Sequence, residues 1–553
     1  MTHDDANARP EGTALSPGTA LTALVALTAC AGVAADVVGA VQPRTLLPWV
    51  AGFAAAMAWT FRRPRAVDLF DPFVFLSWTH YAPAYVVGAF LFAIGVVVYP
   101  HPSLVADPIR ASALALLYTA IGYLAMGVGC QWSGARALGA RLARRLPAPP
   151  ADPTIPLGAI LALVALGGVA TYSAFRAGIV GFAIPRSPGP LDAAATYAGV
   201  LMSLGHFLFW FRWFDRRQTR PPWFALAIPL LVVLFSMAIA GNRGSLLSAY
   251  LVAALAFRFA HGPLTIRQGA VVLALAFVAL AVGMVYGTLF RAIKGGETAA
   301  VPATLEESAA ATADGATTMS PPPAAGSTAP AASGTGDSSR PAEDALPAAA
   351  GAPRPSLTQQ FEVAAATTRA LVSDPWTART SGMLAAVGQR LNLVADVSVT
   401  IARYQELRPL EAQYGIANLW TMTWTGLVPR VLWPGKPRVG DARAYSRLYF
   451  NWDGNSYAWT PATDLIRNGG PLAIPIGMAL LGVALGALGA ALVGPVSGVV
   501  GERAALFSML LVNVSLEGSY GLLLPTMLRI GLIALAGLTV VRVWSWRQTR
   551  IPA

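Results

Sequence analysis

Apolar residues run along this chain in blocks of about twenty, the length of a helix that crosses the hydrocarbon core of a bilayer. The blocks show neither strand alternation nor the one-sided stripe of a surface helix. They lie near 18–39, 45–61, 73–98, 112–131, 155–174, 193–213, 223–241, 245–261, 269–290, 471–494, 503–519 and 523–543. Lipid admits only helices or closed barrels, because every backbone polar group must find its partner within the protein. The pattern therefore predicts an all-α polytopic membrane protein of about 12 transmembrane helices. An N-terminal bundle fills 1–290 and C-terminal membrane helices fill 471–543. Between the ninth and tenth spans the pattern breaks into a large loop with two characters. Residues 297–357 are almost all Ala, Pro, Gly, Ser and Thr and cannot bury enough surface to fold, which predicts a disordered insertion. Residues 358–470 mix Trp, Tyr, Phe and Leu with charges and predict an ordered loop, with helical stretches over 359–373 and 384–407.

Composition agrees: 55% of the residues are hydrophobic and 12% charged, more apolar sequence than one soluble core hides. The formal net charge of +12 does not point to nucleic acid, because the arginines are spread between the blocks. They fall instead on alternate loops: Arg62, Arg63 and Arg65; Arg136, Arg141, Arg144 and Arg145; Arg216, Arg217 and Arg220; then Arg542, Arg547 and Arg550. The positive-inside rule makes that side cytoplasmic, so both termini are cytoplasmic and the 358–470 loop is extra-cytoplasmic. The start, MTHDDANARPEG, lacks a basic n-region and reads as the approach to a retained helix. Cys30 and Cys130 give no disulfide framework and no zinc spacing, and no carboxylate or histidine cluster has the spacing of metal ligands. No cofactor is expected.

Candidate chemistry gathers on the loop side. Gly241-Asn242-Arg243-Gly244-Ser245 joins two spans, and Arg243 beside a helix N-terminus is suited to a phosphate; an ordinary turn with a snorkelling arginine has the same sequence. In Val428-Pro429-Arg430-Val431-Leu432-Trp433-Pro434-Gly435-Lys436-Pro437, three prolines exclude a regular helix and hold Arg430 and Lys436 on a stiff loop. The same stretch also fits an interfacial loop anchored by Trp433. Arg291 and Arg390 add cations, and Tyr457 and Trp459 belong to an aromatic cluster able either to stack on sugars or to sit in the interfacial belt. Loop-side carboxylates that could serve as a base are Asp396, Glu406, Asp441, Asp453 and Asp464, with Asp464 ahead of Asp453. Asp464 could equally cap a helix or pair with Arg467. His101 is the loop-side histidine, whereas His80 and His206 fall within spans, where they can bond between helices. Glu517 and Arg529 are the main charges near or within the last spans and could pair with each other.

The GNRGSLL turn between two spans resembles the G-S-R-G-type element of bacterial oligosaccharide repeat-unit polymerases, the Wzy class. The late loop resembles the same class through an R-L-N-type helix at Arg390, then YGIANLW, VPRVLWPGKP and ATDLIRNGG. Order and spacing agree from about residue 230 to 495, although an R-x10-G pattern of some members is absent. The resemblance implies a metal-independent glycosyltransferase that polymerises undecaprenyl-pyrophosphate-linked oligosaccharides into a surface or secreted polysaccharide. It implies Arg243, Arg291, Arg390, Arg430 and Lys436 around the pyrophosphates, with a nearby carboxylate as base. Implied partners are that lipid-linked substrate, membrane lipids and a chain-length regulator. An O-antigen ligase or another lipid-phosphate-dependent glycosyltransferase shares this topology. A ligase is expected to use a loop histidine, and 358–470 has none. A transporter of polysaccharide or lipid-linked sugar would place more charge deep in the spans.

Overall fold

The computed structural model describes residues 43–60, 68–146, 155–176, 197–240, 244–294, 387–428, 442–452, 459–494, 501–514 and 516–550, with short pieces at 195, 358, 362–363, 365–369, 432–433 and 436. The side chains of 240, 288–289, 291–294 and 548–550 are outside the description. So are the first predicted span, most of the predicted 359–373 helix and the insertion at 297–357.

In chain order the principal helices are α1 (Leu47–Thr60), α2 (Pro72–Leu76), α3 (Gly88–Ala93), α4 (Pro108–Gln131), α5 (Ser133–Arg145), α6 (Leu157–Arg176), α7 (Val200–Phe214), α8 (Ala227–Ala240), α9 (Ser245–His261) and α10 (Ile266–Lys294). The second half adds α11 (Leu393–Leu407), α12 (Leu419–Leu427), α13 (Ala442–Phe450), α14 (Pro461–Gly469), α15 (Ala473–Val493), α16 (Gly501–Val512) and α17 (Tyr520–Arg550). Among the described residues, five helices are long and apolar enough to cross a membrane: Pro108–Gln131, Leu157–Arg176, Ile266–Gly287, Ala473–Val493 and Tyr520–Arg547. Shorter apolar helices cover Val200–Phe214, Trp223–Ile239 and Ser245–His261. The protein is an all-helical, multi-pass membrane protein by helix length and hydropathy.

Local sequence sets several helix starts. Asp107 accepts a bond from the Arg110 amide and Pro108 opens α4; Asp71 and Pro72 do the same for α2. The third predicted span is not one α-helix. Between α2 and α3 the turns of Ser77–Val87 widen to π geometry around Pro83, which has no amide hydrogen to give.

The closest pairing joins α4 and α15, which run parallel. A Cβ at Gly482 would collide with the Met126 carbonyl, one at Gly129 with the Ala479 carbonyl, and one at Gly486 would stand 2.5 Å from the Cys130 carbonyl. Small residues are needed there because lipid supplies little hydrophobic drive, so helices associate by close backbone contact. α7 packs antiparallel on α6, with Gly167 against Met202 and Gly205 against Val164.

Charges occupy the two ends of this bundle. At the arginine-rich end, Arg258 forks onto Asp68 (2.6 Å), Arg542 pairs with Glu502, and Arg212 donates to the Ile155 carbonyl (2.6 Å). At the opposite end α11 to α14 form a cap over α4, α15 and α17. Loop ends grouped by the arginine pattern thus share one end of the bundle: Asp68 follows the second predicted span and Arg258 closes the eighth.

Candidate functional site at the cap end

The cap is organised by a buried arginine. Thr460 caps α14 by accepting from the Thr463 amide, Pro461 opens it, and Gly470 at φ 71° ends it with its amide on the Ile466 carbonyl. This short helix projects Arg467 into the interior, where it is fully buried. Its guanidinium reaches Glu411 (2.7 Å), Asp464 (2.7 Å) and the Ala417 carbonyl (2.9 Å), and lies 4.6 Å from the centre of the Trp459 ring. Glu411 also accepts from the Tyr449 hydroxyl at 2.8 Å. Burial raises the Glu411 carboxyl above the ordinary range and Arg467 pulls it back.

Asp464 belongs to this network. Its carboxylate receives Arg467 Nε (2.9 Å) and Asn468 Nδ2 (3.2 Å) on one oxygen, and Ser519 Oγ (2.7 Å) and the Gly521 amide (3.0 Å) on the other. With the second Arg467 nitrogen, five donors meet about four lone-pair positions. Gly521 is in the first turn of α17, so Asp464 also sits at the positive end of that helix. A carboxylate so held anchors the cap. Trp459 is enclosed too, stacked on Tyr445 with ring centres 4.8 Å apart, so it offers no open platform to a sugar.

A second carboxylate has a different setting. Asp396, in the first turn of α11, faces His101 from the loop before α4, with Nε2 to Oδ1 at 3.4 Å. His101 packs against Phe450, ring centres 4.9 Å apart. Burial pushes the Asp396 carboxyl above the ordinary range, while His101 and Arg390 pull it down and Glu517 pushes it up. Arg390 pairs with Glu517 at 2.9 Å, both side chains about 40% exposed. His80 and Tyr85, from the π-wound segment, lie within electrostatic reach of Glu517. Tyr85 also lines a small cleft with Tyr81, Thr119, Thr460, Pro461 and Met478. Both amide atoms of Asn392 and Trp459 Nε1 are buried at this end without a hydrogen-bond partner among the described residues. Asn392 stands where the predicted 384–407 helix breaks, at a point where the Leu391 and Asn392 backbone presses against Gly88.

Of the residues singled out in the sequence, the structure places Arg390 within electrostatic reach of Asp396, and Asp464 with Trp459 in the buried network. Lys436 is also buried; its Nζ donates to the Val428 carbonyl at 2.9 Å, and Trp433 is 39% exposed. Arg243, Arg430, Asp453 and Tyr457 are outside the described residues, as is the Arg291 side chain. Glu517 and Arg529 have different partners: Arg390 for the first, the Tyr197 hydroxyl (2.7 Å) and the Gly426 carbonyl for the second. His206 accepts from Trp210 Nε1 of its own helix at 3.1 Å.

Sequence reasoning put both Asp396 and His101 on this side but had no means of joining them. The one local signal was a carboxylate within an otherwise apolar helical stretch, LNLVADVSV. The arrangement can hold an anion at Arg390 by displacing Glu517, and can take a proton at Asp396. No protein family, curated protein or solved structure matches the chain.

Proposed function

We propose that this protein is a repeat-unit polymerase acting on undecaprenyl-pyrophosphate-linked oligosaccharides. In this reading about twelve spans cross a bacterial inner membrane. The arginine-rich end and both termini are cytoplasmic, and the cap end faces the periplasm. The observation that carries the reading is Asp396, a buried carboxyl paired with His101 and within electrostatic reach of Arg390 and of Tyr85.

The acceptor sugar hydroxyl attacks the anomeric carbon of the donor glycan. The new C–O bond forms as the bond to pyrophosphate breaks, and the electron pair leaves with the pyrophosphate oxygen. The acceptor proton passes to Asp396, whose raised affinity for protons suits it to that task. Arg390, released from Glu517, stabilises the charge developing on the leaving pyrophosphate. Arg243, Arg291 and Arg430 are proposed to complete the anion site, with Tyr457 at its sugar-binding edge. Asp453 is the second candidate base. Asp464, Lys436, Trp433 and Trp459 are assigned to support rather than contact. The unpaired amide atoms of Asn392 suit a polyhydroxylated ligand, since buried polar groups seek partners.

His101 also favours a second reading. A lipid-phosphate-dependent ligase would use a histidine base, and the fold supplies one from outside the large loop.

The test is a deletion strain complemented with variants, with surface and secreted polysaccharide resolved on a gel. Native protein should restore the polymer ladder, and Asp396→Asn and Arg390→Ala should leave single capped units at normal protein level. Full-length polymer that fails to reach its final carrier would replace polymerase with ligase. A complete ladder from both variants would remove this site from the chemistry.

A further inference from the structure

We infer that helix α12 (Leu419–Leu427) dips into the outer leaflet beside the last span, with its Trp420–Trp424 edge against lipid acyl chains. The inference does not depend on the polymerase reading.

Depth follows from contacts with α17. At the start of α12, the Leu419 carbonyl and Met422 Cβ lie against Gly521, the second residue of α17. Toward its end, Gly426 lies against Pro525, and its carbonyl accepts from Arg529. Residue numbers rise together along both helices, so α12 runs inward with the span. At 1.5 Å per residue, Pro525 is about 7 Å below the first residue of α17. From Tyr520 to Arg542, whose partner is Glu502 at the other end, the helix rises about 33 Å, close to a hydrocarbon thickness. Ala442–Phe450 is again part of the cap, with Tyr445 against Trp459.

The polar groups of α12 are arranged for a medium without water. Asn418 caps its start by accepting from the Thr421 amide at 2.8 Å. Thr423 and Thr425 turn their hydroxyls back onto the Leu419 and Thr421 carbonyls. At the inner end, where free carbonyls would be costly in lipid, Arg529 takes Gly426 and Lys436 Nζ takes Val428. Both cations meet the negative end of the helix dipole. This accounts for a lysine that is only 9% exposed in a segment that reads as an aqueous loop.

The outer face is apolar and open. Trp420 and Trp424 stack one turn apart with rings 6° from parallel, and are 75% and 58% exposed. Leu432 is 77% exposed. Leu524, Leu528 and Leu532 of α17 are exposed in the same way on the span that α12 follows. Acyl chains that cover those leucines extend over the tryptophans.

The experiment places one nitroxide label on the full-length protein in liposomes, with Cys30 and Cys130 replaced by alanine. Labels go at Trp424→Cys, Leu432→Cys or, as the aqueous control, Gln413→Cys, all three positions being exposed. Collision with oxygen and with a water-soluble nickel chelate is then compared. Positions 424 and 432 should favour oxygen by about tenfold relative to 413. Nickel collision at 424 and 432 equal to that at 413 would overturn the inference. Low collision with both agents would also overturn it, since a second protein surface would then cover the face. Neither side chain is packed in the core, so the labels leave the fold intact.

Discussion

Replacing Arg467 by methionine should open the cap. The change removes ion pairs to Glu411 and Asp464, each 2.7 Å long, the bond to the Ala417 carbonyl and the cation at 4.6 Å from Trp459. It leaves two buried carboxylates facing each other without a counter-charge. Breaking a buried pair by removing one partner costs about 3–5 kcal/mol, mostly the penalty of the charge left behind. At about 1.4 kcal/mol per tenfold, opening of the cap becomes more frequent by about a hundred to several thousand times. The assay is amide hydrogen exchange of the protein in lipid nanodiscs, read over Thr460–Gly469 and 411–417, with α4 as internal reference. Exchange should rise in the cap and stay unchanged in α4. Arg467→Lys keeps one charge but not the fork that reaches Glu411, Asp464 and Ala417 together, so it should fall between. Adding Glu411→Gln and Asp464→Asn to the methionine variant should restore most of the protection, because no charge is then stranded. Cap exchange at the native rate in Arg467→Met would refute the reasoning.

Activity should decline as pH falls through a value above the ordinary carboxylate range, because Asp396 must be ionised to take a proton and burial raises its affinity; an acid limb at the usual carboxylate pKa would remove it as the base. A raised folded-state pKa means its stability contribution is present below the unfolded pKa and lost as pH rises through the folded one. Asp396→Asn should therefore gain thermal stability relative to native protein at neutral pH, and the gain should vanish below about pH 4. Gly482→Ala should lower stability by about 1–3 kcal/mol, because the added carbon meets the Met126 backbone carbonyl, which cannot turn aside. Gly168→Ala, with no atom within 4 Å, should be neutral or stabilising by up to about 1 kcal/mol; equal melting shifts in detergent would contradict the packing account.

Much of the fold is legible in the chain because its cause is local. Twenty apolar residues answer the thickness of a bilayer wherever they occur, and the arginine pattern groups loop ends such as those of Asp68 and Arg258 without reference to any contact. Capping pairs such as Asp107-Pro108 and Thr460-Pro461 carry their own signal within three residues. Asp464 was legible as a helix-terminal or Arg467-paired carboxylate as well as a base, and the geometry gives it the anchoring duties. The π-wound segment was hidden, since Pro83 marks a break without saying which wider turn absorbs it.

The sequence by itself determined that the chain is helical, membrane-spanning and chemically loaded on the side away from most of its arginines. Only the tertiary structure decided which of those loaded residues meet. His101 and Asp396 are 295 positions apart, and Arg390 and Glu517 are 127 apart. Nothing local to either partner specifies the other. The pairing depends on parallel packing of α4 and α15 through glycines, which fixes where α11 and α14 can settle on the end of the bundle away from Arg258 and Arg542. The same packing took Asp464 and Trp459 inside and left Arg390 half-exposed, because burial is a property of how helices meet rather than of residue type.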